Sequence, residues 1–300
     1  MSTSNILGIE LIDQIARAVV VDSEGRVAGR AEAPSADTGG ATDAASAALR
    51  AAGVKQPRFI GVAAMEPQAR GLAPEVESLA AAWGGAAQPA VIGWGAAYAL
   101  GELWCGAARD LRNVLAFAVG NRASAGLILD GRLWTGAHDL AGSAAWLALN
   151  PVEREDYRKL GCLDAEVGAS GIVRRLVWRI KAGDRSRVLD MAGGDMSAIT
   201  LDHVLNGARG GDGVAISVIR DTVKYLGMAI ANLASTVDPE IVVLGGMVQT
   251  AGDLLLEPIR SECARRMSPL MYRNVRIELA ALGVDAPAIG AARRAFSQQS

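Results

Sequence analysis

Residues 238–246 read Asp-Pro-Glu-Ile-Val-Val-Leu-Gly-Gly, and this stretch decides the fold class of the chain. The apolar run 241–244 predicts a buried strand that ends at Gly245 and Gly246. The helix predicted over 214–237 ends before this strand, because a proline disfavours the α conformation in the residue that precedes it. A long helix that leads into a buried strand indicates an α/β architecture.

The rest of the chain repeats this alternation of strands and helices. Helices are predicted over 38–52, 96–108, 166–181 and 254–267, and strands over 6–11, 15–21, 58–64, 90–92, 114–119 and 126–129. Glycine-containing pairs at 24–25 and 130–131 predict hairpin turns. A strand-rich unit begins near residue 6 and again near residue 114. We therefore expect two related α/β domains with a cleft between them, where ligands commonly bind.

The composition is typical of a soluble globular protein. Of the 300 residues, 51% are hydrophobic, and the net charge of -2 gives no electrostatic argument for nucleic acid or an anionic membrane. The three widely spaced cysteines, Cys105, Cys162 and Cys263, indicate reduced thiols rather than a disulfide framework. The first residues lack a signal-peptide pattern, and the most apolar stretch, 86–100, is too short for a membrane span. We expect a cytoplasmic protein that binds neither nucleic acid nor membrane.

Several stretches together carry a resemblance to a known family: Ala-Leu-Gly-Glu-Leu-Trp at 99–104, Gly-Leu-Ile-Leu-Asp-Gly at 126–131, Gly-Cys-Leu-Asp at 161–164, and residues 211–246. In order and spacing they resemble the ROK family (repressors, open reading frames and kinases). Its sugar kinases have the duplicated actin-like ATPase, or ribonuclease H-like, fold. The resemblance implies an α/β domain at 1–112, with a helix at about 286–300 packing back on it. It also implies a second α/β domain at 113–285, and a homodimer or a higher homo-oligomer.

The two phosphate-binding loops of the family are poorly matched here. The first loop is D-x-G-G-T in the family, whereas this chain has Glu10-Leu11-Ile12-Asp13-Gln14. A β-branched Ile12 cannot easily adopt the backbone conformation of a glycine, and Asp13 either repels phosphate or is an acidic turn residue. Glu10 keeps a carboxylate for a metal or a water. In the second loop, 120–126, only the end glycines remain, and Arg122 either contacts an anion or faces solvent.

The general base of the family is missing. Family members carry N-D-A-N before the helix predicted at 96–108, and the aspartate takes a proton from the sugar hydroxyl. This chain has Gly93 and Trp94 at the first two of these positions. An indole has one N–H donor and no usable basicity, so Trp94 cannot act as the base. Trp94 is either a core or cleft-lining aromatic residue, or a surface on which a sugar stacks.

The sugar-binding motif is also changed. The family's E-x-G-H is replaced by Ser-Ala-Ala-Trp, which puts Ser143 and Trp146 at the positions of the carboxylate and the histidine. Asp164 replaces a glutamate that contacts the sugar in the family, and Glu66 is a further candidate carboxylate. We treat these four side chains, together with Trp94, as the candidate ligand-binding residues.

Only Cys162 remains of the family's zinc motif, C-x-C-G-x-x-G-C. One thiolate cannot form a structural zinc site, which needs four N or S ligands, so no structural zinc is expected. The two histidines, His138 and His203, lack the spacing of metal ligands.

The adenosine side of the nucleotide site is better matched. Gly211, Gly245 and Gly246 stand in segments that resemble the family's segments there. They are either a vestigial nucleotide-binding element or simply glycines that the fold itself requires, because a strand, a glycine turn and a helix are also structural necessities.

Three functions remain open. The first is a ROK-like protein that has lost ATP-dependent phosphorylation and binds a small sugar-like ligand in the inter-domain cleft. The second is an atypical sugar kinase that uses ATP and magnesium through Glu10, Asp13 or Arg122. The third is a hydrolase or isomerase that acts on a sugar derivative with a carboxylate pair drawn from Glu10, Asp13, Glu66 and Asp164. A repressor is disfavoured, because there is no room for a helix-turn-helix before the first strand.

Overall fold

A computed structural model describes residues 5–12, 14–35, 39–65, 72–83 and 88–298 of this chain. The strands are β1 (Ile6–Ile12), β2 (Ile15–Val21), β3 (Val27–Pro34), β4 (Phe59–Ala64), β5 (Ala90–Gly93), β6 (Val114–Val119), β7 (Ala123–Leu129), β8 (Arg132–Trp134), β9 (Ile241–Gly246) and β10 (Arg276–Leu279). The helices are α1 (Gly40–Ala51), α2 (Ala73–Ala82), α3 (Trp94–Cys105), α4 (Glu155–Leu160), α5 (Cys162–Val167), α6 (Ala169–Lys181), α7 (Arg187–Met191), α8 (Leu201–Arg209), α9 (Gly213–Val237), α10 (Met247–Thr250), α11 (Gly252–Arg266), α12 (Pro269–Asn274) and α13 (Ala286–Ser297). The predicted alternation of strands and helices is confirmed.

The predicted helix 166–181 is wrong at its beginning. Two helices, α5 and α6, meet at Gly168, which has an extended backbone (φ -62°, ψ 153°). A Cβ atom added at Gly168 would lie only 2.6 Å from the carbonyl oxygen of Asn121. The close approach of the chain at this point therefore requires a glycine and interrupts the helix.

Two five-stranded mixed sheets have the same strand order. One runs β3-β2-β1-β4-β5, and the other runs β8-β7-β6-β9-β10. In the first sheet β1 is antiparallel to β2 and parallel to β4, and Ile12 pairs with Ile15 at the end of the β1–β2 hairpin. Because the second sheet repeats the order of the first, the predicted duplication of a strand-rich unit is confirmed.

The chain divides into two compact units. Unit 1 comprises Met1–Ala116, Ala125–Gly142 and Ala280–Ser300, and unit 2 comprises Phe117–Ser124 and Ser143–Leu279. The division predicted from sequence, 1–112 with 286–300 against 113–285, stays a prediction.

The two faces of β1 contact different helices of unit 1, because side chains alternate between the faces of a strand. Leu7, Ile9 and Leu11 pack in one apolar cluster with the buried alanines of α1. Ile6 packs on the opposite face with Ala288 of α13. Gly8 and Glu10 share the face of Ile6, so the carboxylate of Glu10 lies on the face that α13 covers.

Helix α13 approaches its neighbours in unit 1 so closely that backbone contacts backbone. A Cβ atom at Gly8 of β1 would lie 1.9 Å from the carbonyl oxygen of Ala288, and one at Gly61 of β4 would lie 1.9 Å from that of Ala291. On the other side of the helix, a Cβ atom at Gly290 would lie 1.8 Å from the carbonyl oxygen of Ala97 in α3. Glycines at these three positions allow the sheet, α13 and α3 to pack without a gap.

The longest helix, α9, begins and ends where the sequence indicates. Asp212 caps its N-terminus by accepting a hydrogen bond from the backbone N–H of Ala215 at 2.8 Å. Its C-cap, Asp238, is left-handed (φ 46°) and precedes Pro239. Within the described part of the chain, no helix combines the length and the apolar character that a membrane crossing requires.

We predict that Gly61→Ala lowers the free energy of unfolding by about 1–3 kcal/mol, because the new methyl group overlaps the backbone of α13. Urea unfolding followed by circular dichroism measures this change. The control is Gly213→Ala at the first position of α9, where a Cβ atom meets no other atom within 4 Å. The control should unfold at the wild-type urea concentration or higher. Equal stability of Gly61→Ala and wild type would contradict the close packing of α13.

Candidate functional site

A row of three charged side chains crosses the first sheet at the position of the first phosphate loop. Glu10 on β1 lies opposite Arg17 on β2, which in turn lies opposite Glu32 on β3. Arg17 Nη1 donates to Glu10 Oε2, and Arg17 Nε donates to Glu32 Oε1 at 2.6 Å. Glu10 is only 2% exposed, so this carboxylate is a buried charge.

Trp94 supplies the second bond to the Glu10 carboxylate. It is the first residue of α3, is 3% exposed, and donates from Nε1 to Glu10 Oε1 at 2.6 Å. Its ring packs edge-on against Tyr98, with 5.1 Å between the ring centroids. Both carboxylate oxygens of Glu10 are thereby bonded to side chains of unit 1. The proposed contact of Trp94 with a ligand stays a prediction, and in this structure its indole is a core group.

The environment of Glu10 changes its acidity. Burial raises the pKa of the Glu10 carboxyl above its ordinary value, and the opposing effects of the Trp94 N–H and of Arg17 do not cancel that shift. The charged form therefore depends on Arg17 and Trp94 to remain in the core.

In unit 2, Asp164 and Arg122 are brought together. Asp164 on α5 is buried, and its carboxylate accepts bonds from Arg122 Nε at 3.1 Å and from the backbone N–H of Ala123 at 2.5 Å. Burial raises the pKa of the Asp164 carboxyl, and these two donors oppose the shift. Asp164 thus bonds to the β6–β7 loop, which corresponds to the second phosphate-binding loop of the family that the sequence resembles.

Ser143 is the N-cap of a short 3-10 turn in unit 2, Ala144–Trp146, and Trp146 is the last residue of that turn. This turn packs closely on the start of α5, since a Cβ atom at Gly161 would lie 2.2 Å from the carbonyl oxygen of Ala145. Trp146 is 53% exposed, so much of its indole ring is accessible. The turn therefore presents an exposed aromatic ring beside the helix that carries Asp164.

The remaining candidates fall into two groups. Asp13 and Glu66 lie outside the described residues. Gly211 (φ 80°) precedes the N-cap of α9, and Gly245 and Gly246 end β9. Gly246 has φ 65°, and a Cβ atom there would lie 2.1 Å from the carbonyl oxygen of Val119. The fold alone therefore requires a glycine at 246, whatever its part in nucleotide binding.

The model of the ROK family matches residues 94–297, about two thirds of the chain. The chain belongs to the ROK family. Two curated relatives illustrate its range: the glucokinase of Halalkalibacterium halodurans is 32% identical over 194 residues, and the xylose repressor of Caldicellulosiruptor bescii is 28% identical over 198 residues. Each match takes in 64% of this chain, and it covers 58% of the glucokinase and 48% of the repressor. The match therefore spans about half the length of these relatives.

Solved structures confirm the predicted fold. The ROK glucokinase of Streptomyces griseus, in complex with glucose and AMPPNP, has a TM-score of 0.81 to this chain. The likeness covers 98% of this chain and 99% of that one, at 24% identity. At this identity the comparison shows the fold, the duplicated actin-like ATPase fold of sugar kinases, and not the chemistry.

The segment of this ROK protein that resembles the family's zinc motif is held by hydrogen bonds. Buried Glu166 accepts bonds from the hydroxyl of Tyr157 and from Arg154 Nη1, the latter at 3.0 Å. Asn150 Nδ2 donates to the same hydroxyl at 3.1 Å. Cys162 is buried nearby in an apolar cluster with Tyr157. Across the ranges that the structure describes, no three His, Cys, Asp or Glu side chains converge to hold a metal, so the residues do not fit a zinc site.

Two buried or partly buried polar residues of this ROK protein were not predicted from the sequence. Glu102 of α3 is fully buried, and it accepts bonds from the backbone N–H groups of Ala107, Ala281 and Leu282 at 2.7–3.1 Å. It ties α3 to the segment before α13. The sequence signal that could have identified Glu102 is that it is a lone charge within the otherwise apolar helix 94–105. Arg17 was the second omission, and a tight hairpin after β1 places it directly opposite Glu10.

We predict that Arg17→Met destabilises the protein more at pH 8 than at pH 5. The variant leaves the buried Glu10 charge without its cation, which costs about 3 kcal/mol when the carboxylate is ionised. Glu10 has a raised pKa in the folded state, so the stability it contributes is fully present below its ordinary value of 4.5 and is lost as the pH rises. The loss is larger in the variant, because Arg17 no longer opposes the shift. Urea unfolding at both pH values measures the difference.

The matched control is Arg26→Met, which removes an exposed arginine that pairs with Asp22 and Glu24 in the turn between β2 and β3. We expect little change at either pH, because exposed ion pairs contribute little. An equal loss for Arg17→Met at pH 5 and pH 8 would contradict the buried-charge account.

Proposed function

We propose that this ROK protein binds a small sugar-like ligand and does not transfer phosphate from ATP to it. The observation that carries the proposal is the bond between Trp94 and Glu10. The side chain at the position of the catalytic base is an indole whose only N–H is already donated, and the Glu10 carboxylate that accepts this bond also accepts one from Arg17.

The loops that would hold the phosphates support the second part of the proposal, the absence of phosphate transfer. Ile12 ends β1 in regular pairing with Ile15, so this backbone is part of a β-ladder where the family has glycines. In the second loop, Arg122 and the N–H of Ala123 are both bonded to Asp164. A phosphate would have to compete with a buried carboxylate for these two donors. Phosphoryl transfer depends on such donors and on a positioned base, and both are compromised here.

The exposed ring of Trp146 supports the first part, the binding of a sugar-like ligand. An aromatic face of this kind offers a sugar an apolar surface next to polar groups. Ser143 directly precedes the turn that carries Trp146, and Asp164 lies on the helix that this turn packs against. The relatives include both a glucokinase and a xylose repressor, so proteins named for different functions align with this chain. Ligand binding without catalysis is consistent with that range.

We predict that a coupled assay for ADP release detects no sugar-dependent turnover with hexoses, pentoses or N-acetylhexosamines. Loss of a general base alone lowers a rate by about 100-fold or more. The glucokinase of Halalkalibacterium halodurans, assayed in parallel, is the positive control. Sugar-dependent ADP release within about tenfold of that enzyme would overturn the proposal and favour the atypical kinase.

We also predict that one member of the same sugar panel binds, and that Trp146→Ala weakens its binding roughly fivefold, the size of one aromatic contact. Isothermal titration calorimetry without nucleotide measures both affinities. Trp134→Ala is the matched control, because Trp134 is 51% exposed but lies on β8 of unit 1. Equal loss in the two variants, or no binding of any sugar at millimolar concentration, would contradict the ligand site.

A further inference from the structure

A groove of about 400 Å³ lies on unit 2 between α9 and α11, beside the end of α8. We call it the α9–α11 groove. Its lining includes Ile216, Val223, Leu254 and Pro258, which repeat at helical spacing on one face of each helix. None of the residues discussed above as candidates for sugar or nucleotide binding contributes to the lining. It is therefore a separate feature of unit 2.

The walls of the α9–α11 groove are held at both ends. At one end the helices touch, since a Cβ atom at Gly227 would lie 2.4 Å from the Cβ of Glu262. At the other end Arg209 at the end of α8 makes a bidentate ion pair with Asp253 at the start of α11, with both N–O distances 2.8 Å. A groove whose α11 wall is held to α9 at one end and to α8 at the other is preformed, as small-molecule sites usually are.

The floor of the groove is apolar and accessible. Ile216 is 45% exposed, and half-buried Leu254 and exposed Pro258 continue the same surface, which buried Val223 also lines. The volume lies in the range of about 300–1,000 Å³ that is typical of small-molecule sites. This surface favours a ligand with an apolar body.

The rim of the groove is basic. Arg220, Lys224 and Arg265 line it, and its acidic side chain, Glu262, is buried and already accepts bonds from Arg265 and Arg266. Lys224 is paired with Asp221 at 3.0 Å. Arg220 is exposed and makes no hydrogen bond or ion pair with any residue that the structure describes. The charge next to the apolar floor is thus positive, and one guanidinium is available for an anion.

We propose that the α9–α11 groove binds a small amphipathic anion, an apolar body that carries a carboxylate, sulfonate or phosphate group. The apolar body lies on Ile216, Val223 and Leu254, and the anionic group bonds Arg220. Lys224 and Arg265 add to the positive potential at the same rim. This site needs neither the sugar nor the nucleotide, so it is independent of the proposed function.

The test uses 8-anilinonaphthalene-1-sulfonate, whose fluorescence rises in apolar surroundings, with decanoate as a competitor. We expect saturable binding of one probe per chain and complete displacement by decanoate. Decanol and decyltrimethylammonium have the same tail without the negative charge, and should displace the probe at least about tenfold less well. Equal displacement by the three decyl compounds, or binding that does not saturate, would overturn the proposal.

Variants locate the site. Arg220→Glu should weaken probe binding by about tenfold or more, because it replaces the available cation with an anion. Arg185→Glu is the matched control, since Arg185 is another exposed arginine of unit 2, lies outside the groove and should leave binding unchanged. Ser261→Phe fills the groove without changing its charge, and should also abolish binding. Each variant is first compared with wild type by circular dichroism.

Two further results would count against the inference. Wild-type affinity in both Arg220→Glu and Ser261→Phe would place the probe elsewhere. Displacement of the probe by ATP with magnesium at micromolar concentration would assign the groove to the nucleotide instead. The sugar panel plays no part in these measurements. A failed probe experiment therefore leaves the proposed function untouched, and a failed sugar-binding experiment leaves the proposal for the groove untouched.

Discussion

The buried carboxylate of Glu10 is the constraint on which the arrangement of unit 1 depends. A charge in the core must be compensated there, because the free energy of moving it out of water is not recovered otherwise. The hairpin register brings Arg17 to one oxygen, and the start of α3 brings Trp94 to the other. The sheet and α3 are therefore joined at one carboxylate, and a substitution of any of the three residues affects the other two.

Close backbone packing is the second constraint in unit 1. Helix α13 lies on the same face of the sheet as Glu10 and reaches it only because Gly8 and Gly61 carry no side chain. Its other side meets α3 through Gly290. An interior of this density tolerates little added volume. The same packing places α3, and with it Trp94, at a fixed position above β1.

This chain keeps the fold of the family, whereas its residues differ from the family's motifs at several positions. The strands, the glycine turn after β9 and the helix order are retained, as the likeness to a ROK glucokinase shows. At the positions where the resemblance suggests ligand contacts, Glu10 and Asp164 instead satisfy donors of their own units. Function resides in such sites rather than in the fold that carries them. The α9–α11 groove is a further candidate site of this kind, because α9 and α11 both belong to the retained fold.

The sequence by itself determined the alternation of strands and helices, the duplication of a strand-rich unit and the family. Periodic apolar runs and glycine turns are local signals, and residues 238–246 contain both. It also determined that Trp94 cannot act as a base, since that follows from the chemistry of indole. The break at Gly168 was not predicted, because it depends on the carbonyl of Asn121, which is distant in sequence.

Only the tertiary structure decided which polar groups meet. Trp94 lies 84 positions after Glu10, and Asp164 lies 42 positions after Arg122, so no local pattern connects these pairs. The same holds for Glu102 and residues 281–282, which are joined across most of the chain. Residue types give the possible donors and acceptors, but the pairing depends on where distant elements pack. For this reason the sequence could identify the altered positions and could not say what the altered residues bind.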